Sequence, residues 1–198
     1  MRHILQTIHD RVAWHNSLRN VTITFDRRQG FPLQYKAIQP LAVFSQLTFV
    51  YLDYTRGITL TDTEHEQVAS WWPNLVTFDI IANYRPAKTP ATLHALIHYA
   101  RHCPELCRLH IPLSIHAGNI PDTASQIRQH QLAVLYNVGN SPLKARLVDR
   151  VGDFLAELFP NLEAIYHQGV AIHGDRKGAS GVCVLNRTNN VNHLPVNL

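Results

Sequence analysis

The stretch that decides the fold runs PNLVTFDI (73–80), TPATLHALIHYARHC (89–103) and PELCRLHI (104–111). Its first and last pieces share one grammar. Each has a Pro-x-Leu start followed by apolar residues at matching offsets, Leu75, Phe78 and Ile80 in one and Leu106, Leu109 and Ile111 in the other. Between them Leu93, Leu96, Ile97, Ala100 and Cys103 recur at three- and four-residue steps, one face of a helix. Strand, helix and the same strand again, 31 residues on, describe a repeat. Internal repeats take precedence over any residue-level reading, because they determine the whole architecture.

Working outward, SLRNVTI supplies Leu18, Val21 and Ile23, and QLTFVYL supplies Leu47, Val50 and Leu52. QLAVLYN supplies Leu132 and Leu135, with Asn137 at the third position; NLEAIYH supplies Leu162 and Ile165, with His167 there. The anchor leucines 18, 47, 75, 106, 132 and 162 step by 29, 28, 31, 26 and 30 residues. This is the L-x-x-L-x-L strand of a leucine-rich repeat. The expected fold is α/β: a leucine-rich repeat solenoid of about six repeats. It is a short right-handed horseshoe, with parallel strands on the concave side and helices on the convex side.

The repeat domain is expected over residues 1–173, opening with a partial repeat helix over 1–16 that carries Ile4, Leu5, Ile8 and Val12. Asp26 to Pro40 holds Gly30, Pro32 and Pro40, too broken for a long helix, so it reads as a loop with one short turn at Tyr35 to Ile38. Thr61 with Glu64 is a capping-box pattern, and Pro73 stops the helix it begins. Thr89 is expected to cap the next helix with Pro90 at its first position. Asp122 to His130 reads as one or two helical turns. LKARLVDRVGDFLAELF (143–159) carries a stripe of Leu147, Val151, Phe154, Leu155 and Leu158. From Gly174 the text turns to Gly, Asn and polar residues, so 174–198 is expected to be a loose polar tail.

Composition narrows the function. Of 198 residues, 45% are hydrophobic and 16% charged, which suits a folded chain and not a disordered one. No apolar run approaches the roughly 18–20 residues of a membrane helix, and MRHILQTIHDRVAWH lacks the pattern of a signal peptide. The expected location is therefore cytoplasmic or nuclear. Net charge is +4, but the basic residues are scattered, with only the pairs Arg27-Arg28 and Arg176-Lys177, so no nucleic-acid partner is expected. Three cysteines do not make a disulfide framework.

Catalytic and metal readings fail on spacing. His102, Cys103, Cys107 and His110 are zinc-type ligands, but Cys103 falls on the apolar helix face and the segment then crosses into a strand. His94, His98 and His102 lie four apart without the glutamate of H-E-x-x-H. GDRKGASG (174–181) lacks the order of a phosphate loop, and no nucleophile elbow occurs. No enzyme, cofactor or resident metal is expected. What is left is a surface: between the anchors, Thr22, Thr48, Tyr51, Thr77, Asp79, Arg108, His110 and Tyr136 are expected to line the concave face. Mixed polar and aromatic residues on a rigid sheet suit protein recognition.

FSQLTFVYLDYTRGITLTDTEHEQVASWWPNLVTFDI (44–80) and TPATLHALIHYARHCPELCRLHIPLSIHA (89–117) resemble the repeat region of basidiomycete F-box proteins. Leu60-Thr61-Asp62, Trp72-Pro73 and His102-Cys103-Pro104 match that family's pattern, and the resemblance extends from Leu18 to Tyr166. It implies a module that holds an unknown protein substrate for a cullin–RING ubiquitin ligase. No F-box, with its leucine-proline start and small helical bundle, fits ahead of Leu18. The Skp adaptor is thus an expected partner only where an F-box lies upstream. The alternative is a stand-alone or truncated repeat protein with a binding or structural role and no ligase link.

Overall fold

The computed structural model describes residues 2–25, 33–54, 57–81, 90–116, 119–121, 127–137, 145–168 and 182–184. They form an α/β chain around an open, mostly parallel sheet. Its parallel strands are β1 (Asn20–Phe25), β3 (Phe49–Tyr54), β5 (Thr77–Ile81), β6 (Arg108–Ile111), β7 (Val134–Asn137) and β8 (Ala164–Gln168). A last strand, β9 (Val182–Val184), adds antiparallel to β8. A separate parallel pair joins β2 (Leu33–Gln34) to β4 (Ile58–Thr59). The helices are α1 (Arg2–His9), α2 (Tyr35–Ile38), α3 (Asp62–Trp71), α4 (His94–His102) and α5 (Ala145–Leu158). The large sheet is ordered β1-β3-β5-β6-β7-β8-β9, so each strand lies beside the next one in the chain and the order never reverses.

Register follows the anchors. Val21, Val50, Phe78, Leu109, Leu135 and Ile165 stand opposite one another in one row across six strands. Ile23, Leu52 and Ile80 make a second row on the same face. Because side chains alternate along a strand, both rows point to one side, where the buried core lies.

One backbone device recurs where each strand begins. The carbonyl after the anchor leucine accepts two consecutive N–H groups from the following repeat. Arg19 accepts from Thr48 and Phe49 (2.8 and 3.1 Å), and Thr48 from Val76 and Thr77 (2.8 and 3.0 Å). Val76 accepts from Cys107 and Arg108, Cys107 from Ala133 and Val134, and Ala133 from Glu163 and Ala164. Four anchors also donate their own N–H three residues back, to Phe44, Trp72, Cys103 and Phe159, all fully buried. At the remaining internal turn, before Leu132, the equivalent position is Gln129. Its Nε2 donates to the carbonyls of Pro104 and Leu106 (2.9 and 2.8 Å) and lies 3.4 Å from that of Cys103. Its Oε1 accepts from Gln131 and Leu132. This repeat has no helix among the described residues, and a buried side-chain amide ties its turn.

The helices pack through Val68, Ala69, Leu96, Tyr99 and the α5 stripe, all buried. The Thr61–Glu64 capping box forms as the pattern predicts. Trp72 meets Phe78 edge-on, donates Nε1–H to the Leu41 carbonyl, and Phe78 leads on to Tyr99. His65 is fully buried, its Nδ1 2.8 Å from the Tyr99 hydroxyl, and burial pushes its pKa down to about 3.

Several local expectations differ. α4 starts at His94, not after Pro90; the Thr92 hydroxyl accepts from the His94 N–H, and Asp62 holds Thr92 through both its N–H and its hydroxyl. The Asp62 carboxylate of the preceding helix thus sets the start that Thr89, outside the described residues, was expected to set. α1 ends at His9, and Val12 belongs to a separate short turn where it is 72% exposed. Residues 127–130 are not helical, while 122–126 lie outside the described residues. Within 174–198, expected as a loose tail, Val182–Val184 forms β9; the remainder of that segment lies outside the described residues.

Candidate functional site

The side of the sheet opposite the core carries two further rows. One runs Thr22, Tyr51, Asp79, His110, Tyr136, Tyr166; the other runs Asn20, Phe49, Thr77, Arg108, Val134, Ala164. Seven of the eight expected face residues therefore fall on these rows. Thr48 does not. It precedes β3, and its hydroxyl donates sideways to the Arg19 carbonyl at 3.3 Å, while Phe49 takes the row position. Tyr166 was missed, although aligning NLEAIYH with QLAVLYN places it beside Tyr136.

The face is not uniform. Thr22 is exposed at the β1 edge, whereas Asp79 and His110 in the middle are 2% and 8% exposed. Arg108 reaches diagonally across the strands, its Nε 3.1 Å from both Asp79 carboxylate oxygens. Burial pushes the Asp79 carboxyl up, and the guanidinium beside it pulls the other way. The Arg108 guanidinium also lies over the Tyr136 ring, 4.7 Å from its centre. His110 sits 5.2 Å from Tyr136, and Tyr136 stacks on Tyr166 at 4.5 Å with 11° between planes. Neither His110 ring nitrogen has a hydrogen-bond partner among the described residues. Burial first, then the Arg108 charge, lowers its pKa to about 4, so the ring is neutral at pH 7. Tyr51 is pushed up by burial and by Asp53 and Asp79.

The residues that tempt a metal reading do not converge. Cys103 is buried with Sγ directed at the carbonyls of Ala69 and Trp72, and burial pushes its thiol up to about 12. His110 lies on the open face, and Cys107 sits at the start of β6. Among the described residues no group of three or more His, Cys, Asp or Glu side chains is placed to hold a metal ion. No helix among them is long and apolar enough to cross a membrane. The chain matches no model of a known protein family, and a search of curated proteins finds no match either.

Proposed function

We propose that this chain is a leucine-rich repeat module, a short right-handed horseshoe whose open sheet face holds another protein. The observation that carries this reading is the periodic backbone device at Arg19, Thr48, Val76, Cys107 and Ala133. Equivalent bonds one residue after equivalent leucines are what a coil of equivalent units produces. The sheet order supports it too. Ligand crevices of open parallel sheets form where strand order reverses, and this order does not reverse. A broad face with three tyrosines and one arginine on its rows suits a protein partner better than a small molecule. In this reading the module has no catalytic role. It takes the part of the substrate-holding repeats of F-box proteins in a cullin–RING ligase, as the motifs at Leu60-Thr61-Asp62 and His102-Cys103-Pro104 suggest.

The test is photo-crosslinking in cells from Thr22 and Thr77 on the face, with exposed Arg101 on α4 as the control. The same adduct from both face positions and none from Arg101 is the expected result. An adduct from Arg101 alone sinks the reading. Co-purification of the native gene product with the Skp adaptor separates the ligase role from a stand-alone repeat protein.

A further inference from the structure

β1, NVTITF, is an edge strand without protection. Among the described residues it pairs with β3 alone, whereas β9 covers the far edge of the parallel strands. Edge strands ordinarily carry a lysine, a proline, a bulge or a cover, because a bare row of N–H and C=O groups templates another strand. β1 has no charge and no proline, and its register with β3 runs without a bulge. The carbonyl device also leaves one place unfilled here. Each later parallel strand opens with two N–H groups donated to one carbonyl of the strand before it. Arg19 and Asn20 stand where Thr48 and Phe49 stand, and their N–H groups have no acceptor among the described residues. By the alternation of a parallel ladder, the N–H groups of Thr22 and Thr24 turn outward with that of Asn20. Leu18 is the one anchor leucine left partly exposed; the other five are buried. An open cleft of about 410 Å³ adjoins it, lined by Trp14, Ser17, Leu18, Arg19 and Asn20, and Trp14 is 46% exposed.

We propose that this edge seats one extended strand of a partner protein, running parallel to β1, with a leucine followed by apolar residues three and five places on. The seams inside the sheet supply that pattern. The incoming leucine packs at Leu18 and the cleft, and the carbonyl of the next residue takes the Arg19 and Asn20 N–H pair. The two apolar residues then continue the rows of Val21 and Ile23. Those rows are unfinished at this edge: Val21 and Ile23 are 6% and 8% exposed, whereas Val50, Phe78, Leu52 and Ile80 beside them are at 0%. A second copy of the chain does not fit the seat. Among the described residues its large sheet has only β1 or β9 to offer. With both cores on one side, β1 meets β1 by two-fold symmetry and lies antiparallel. β9 runs against the other strands and lies antiparallel too. The seat is the rim of the sheet, and it stands whatever the open face binds.

The test is amide hydrogen exchange of the full chain, read by NMR in reducing buffer. The probe is a synthetic peptide PELCRLHIP, the chain's own residues 104–112, and the control is its reversal, PIHLRCLEP. Without peptide, the Asn20 and Thr22 amides should exchange freely, while those of Phe49 and Thr77, at the same places inside the sheet, are protected. Peptide occupying about 90% of the chain should slow Asn20 and Thr22 about tenfold and leave Phe49 and Thr77 unchanged. Asn20→Pro removes one of the paired donors at the first residue of an edge strand, where proline is tolerated, and should weaken peptide binding about tenfold. Trp14→Ser, on the surface of the cleft, should weaken it as well. Equal slowing by the reversed peptide, slowing by neither, or affinity unchanged in both variants overturns the proposal. Slowing that grows with chain concentration in the absence of peptide overturns it too, and gives the edge to a second copy.

Discussion

Replacing Gln129 with alanine removes the side chain that ties the helix-free turn. The amide is 3% exposed and bonds backbone groups of two successive repeats. In the variant the buried carbonyl of Leu106 and the buried N–H of Leu132 lose their partners. Leaving a buried group unsatisfied costs about 1–3 kcal/mol each, so the expected loss for the two is about 2–6 kcal/mol. With a urea slope of about 2 kcal/mol per M, the midpoint should fall by roughly 1–3 M. Two probes are needed, because the two ends of a long open sheet can unfold separately. The tryptophans, Trp14, Trp71 and Trp72, all lie in the first half of the chain, whereas circular dichroism follows the whole. Coincident transitions mean that the turn couples the two halves. Gln129→Glu should be at least as damaging, since a carboxylate faces three carbonyls with no donor to give. A loss below about 1 kcal/mol for Gln129→Ala, or a tolerated Gln129→Glu, refutes the argument.

Three other outcomes follow from the same packing. Leu109→Ala, fully buried between Phe78 and Leu135, should cost about 2–5 kcal/mol in chemical denaturation through the cavity it leaves. Thr61→Ala removes the hydroxyl that accepts from the Glu64 N–H and should cost about 1 kcal/mol, read as a lower thermal midpoint. Stability should fall on acidification: His65 is held neutral with a pKa of about 3 when folded, against 6.5 when free, so the unfolded chain binds the extra proton. The share due to His65 begins as pH drops below about 6.5 and runs at about 1.4 kcal/mol per pH unit toward 3, with His110 adding to it in the same direction. In urea titrations at a series of pH values, His65→Asn should lessen the slope by that share.

The sheet was legible because its signal is redundant. Six leucines at near-equal steps, each followed by an apolar residue at offset three and the first four by another at offset five, fix both the strands and their register. The α5 stripe was legible for the same reason, with Leu147, Val151, Phe154, Leu155 and Leu158 all buried. What escaped were features made by single polar residues acting across repeats. Gln129 reads as an ordinary polar residue until it is set in column with Phe44, Trp72, Cys103 and Phe159, each three residues before its anchor. Asp62 reads as a helix-start acid, yet its carboxylate holds Thr92 of the next unit. The open face was found in outline, since alternation alone marks the outward residues. Its interior was not: that Asp79 and His110 are buried there depends on Arg108 and Tyr136 lying across them, a diagonal that no single-strand pattern contains.

The central claim is the register that puts Val21, Val50, Phe78, Leu109, Leu135 and Ile165 in the core and Tyr51, Asp79, His110 and Tyr136 on the open face. Solution NMR tests it most directly. In the expected register, nuclear Overhauser contacts walk side chain to side chain along the first row, and the Tyr136 ring contacts His110 and Tyr166. A register slipped by one residue would reverse the two faces, giving contacts from Asp79 or His110 to Leu96 and Tyr99, and that result would contradict the account.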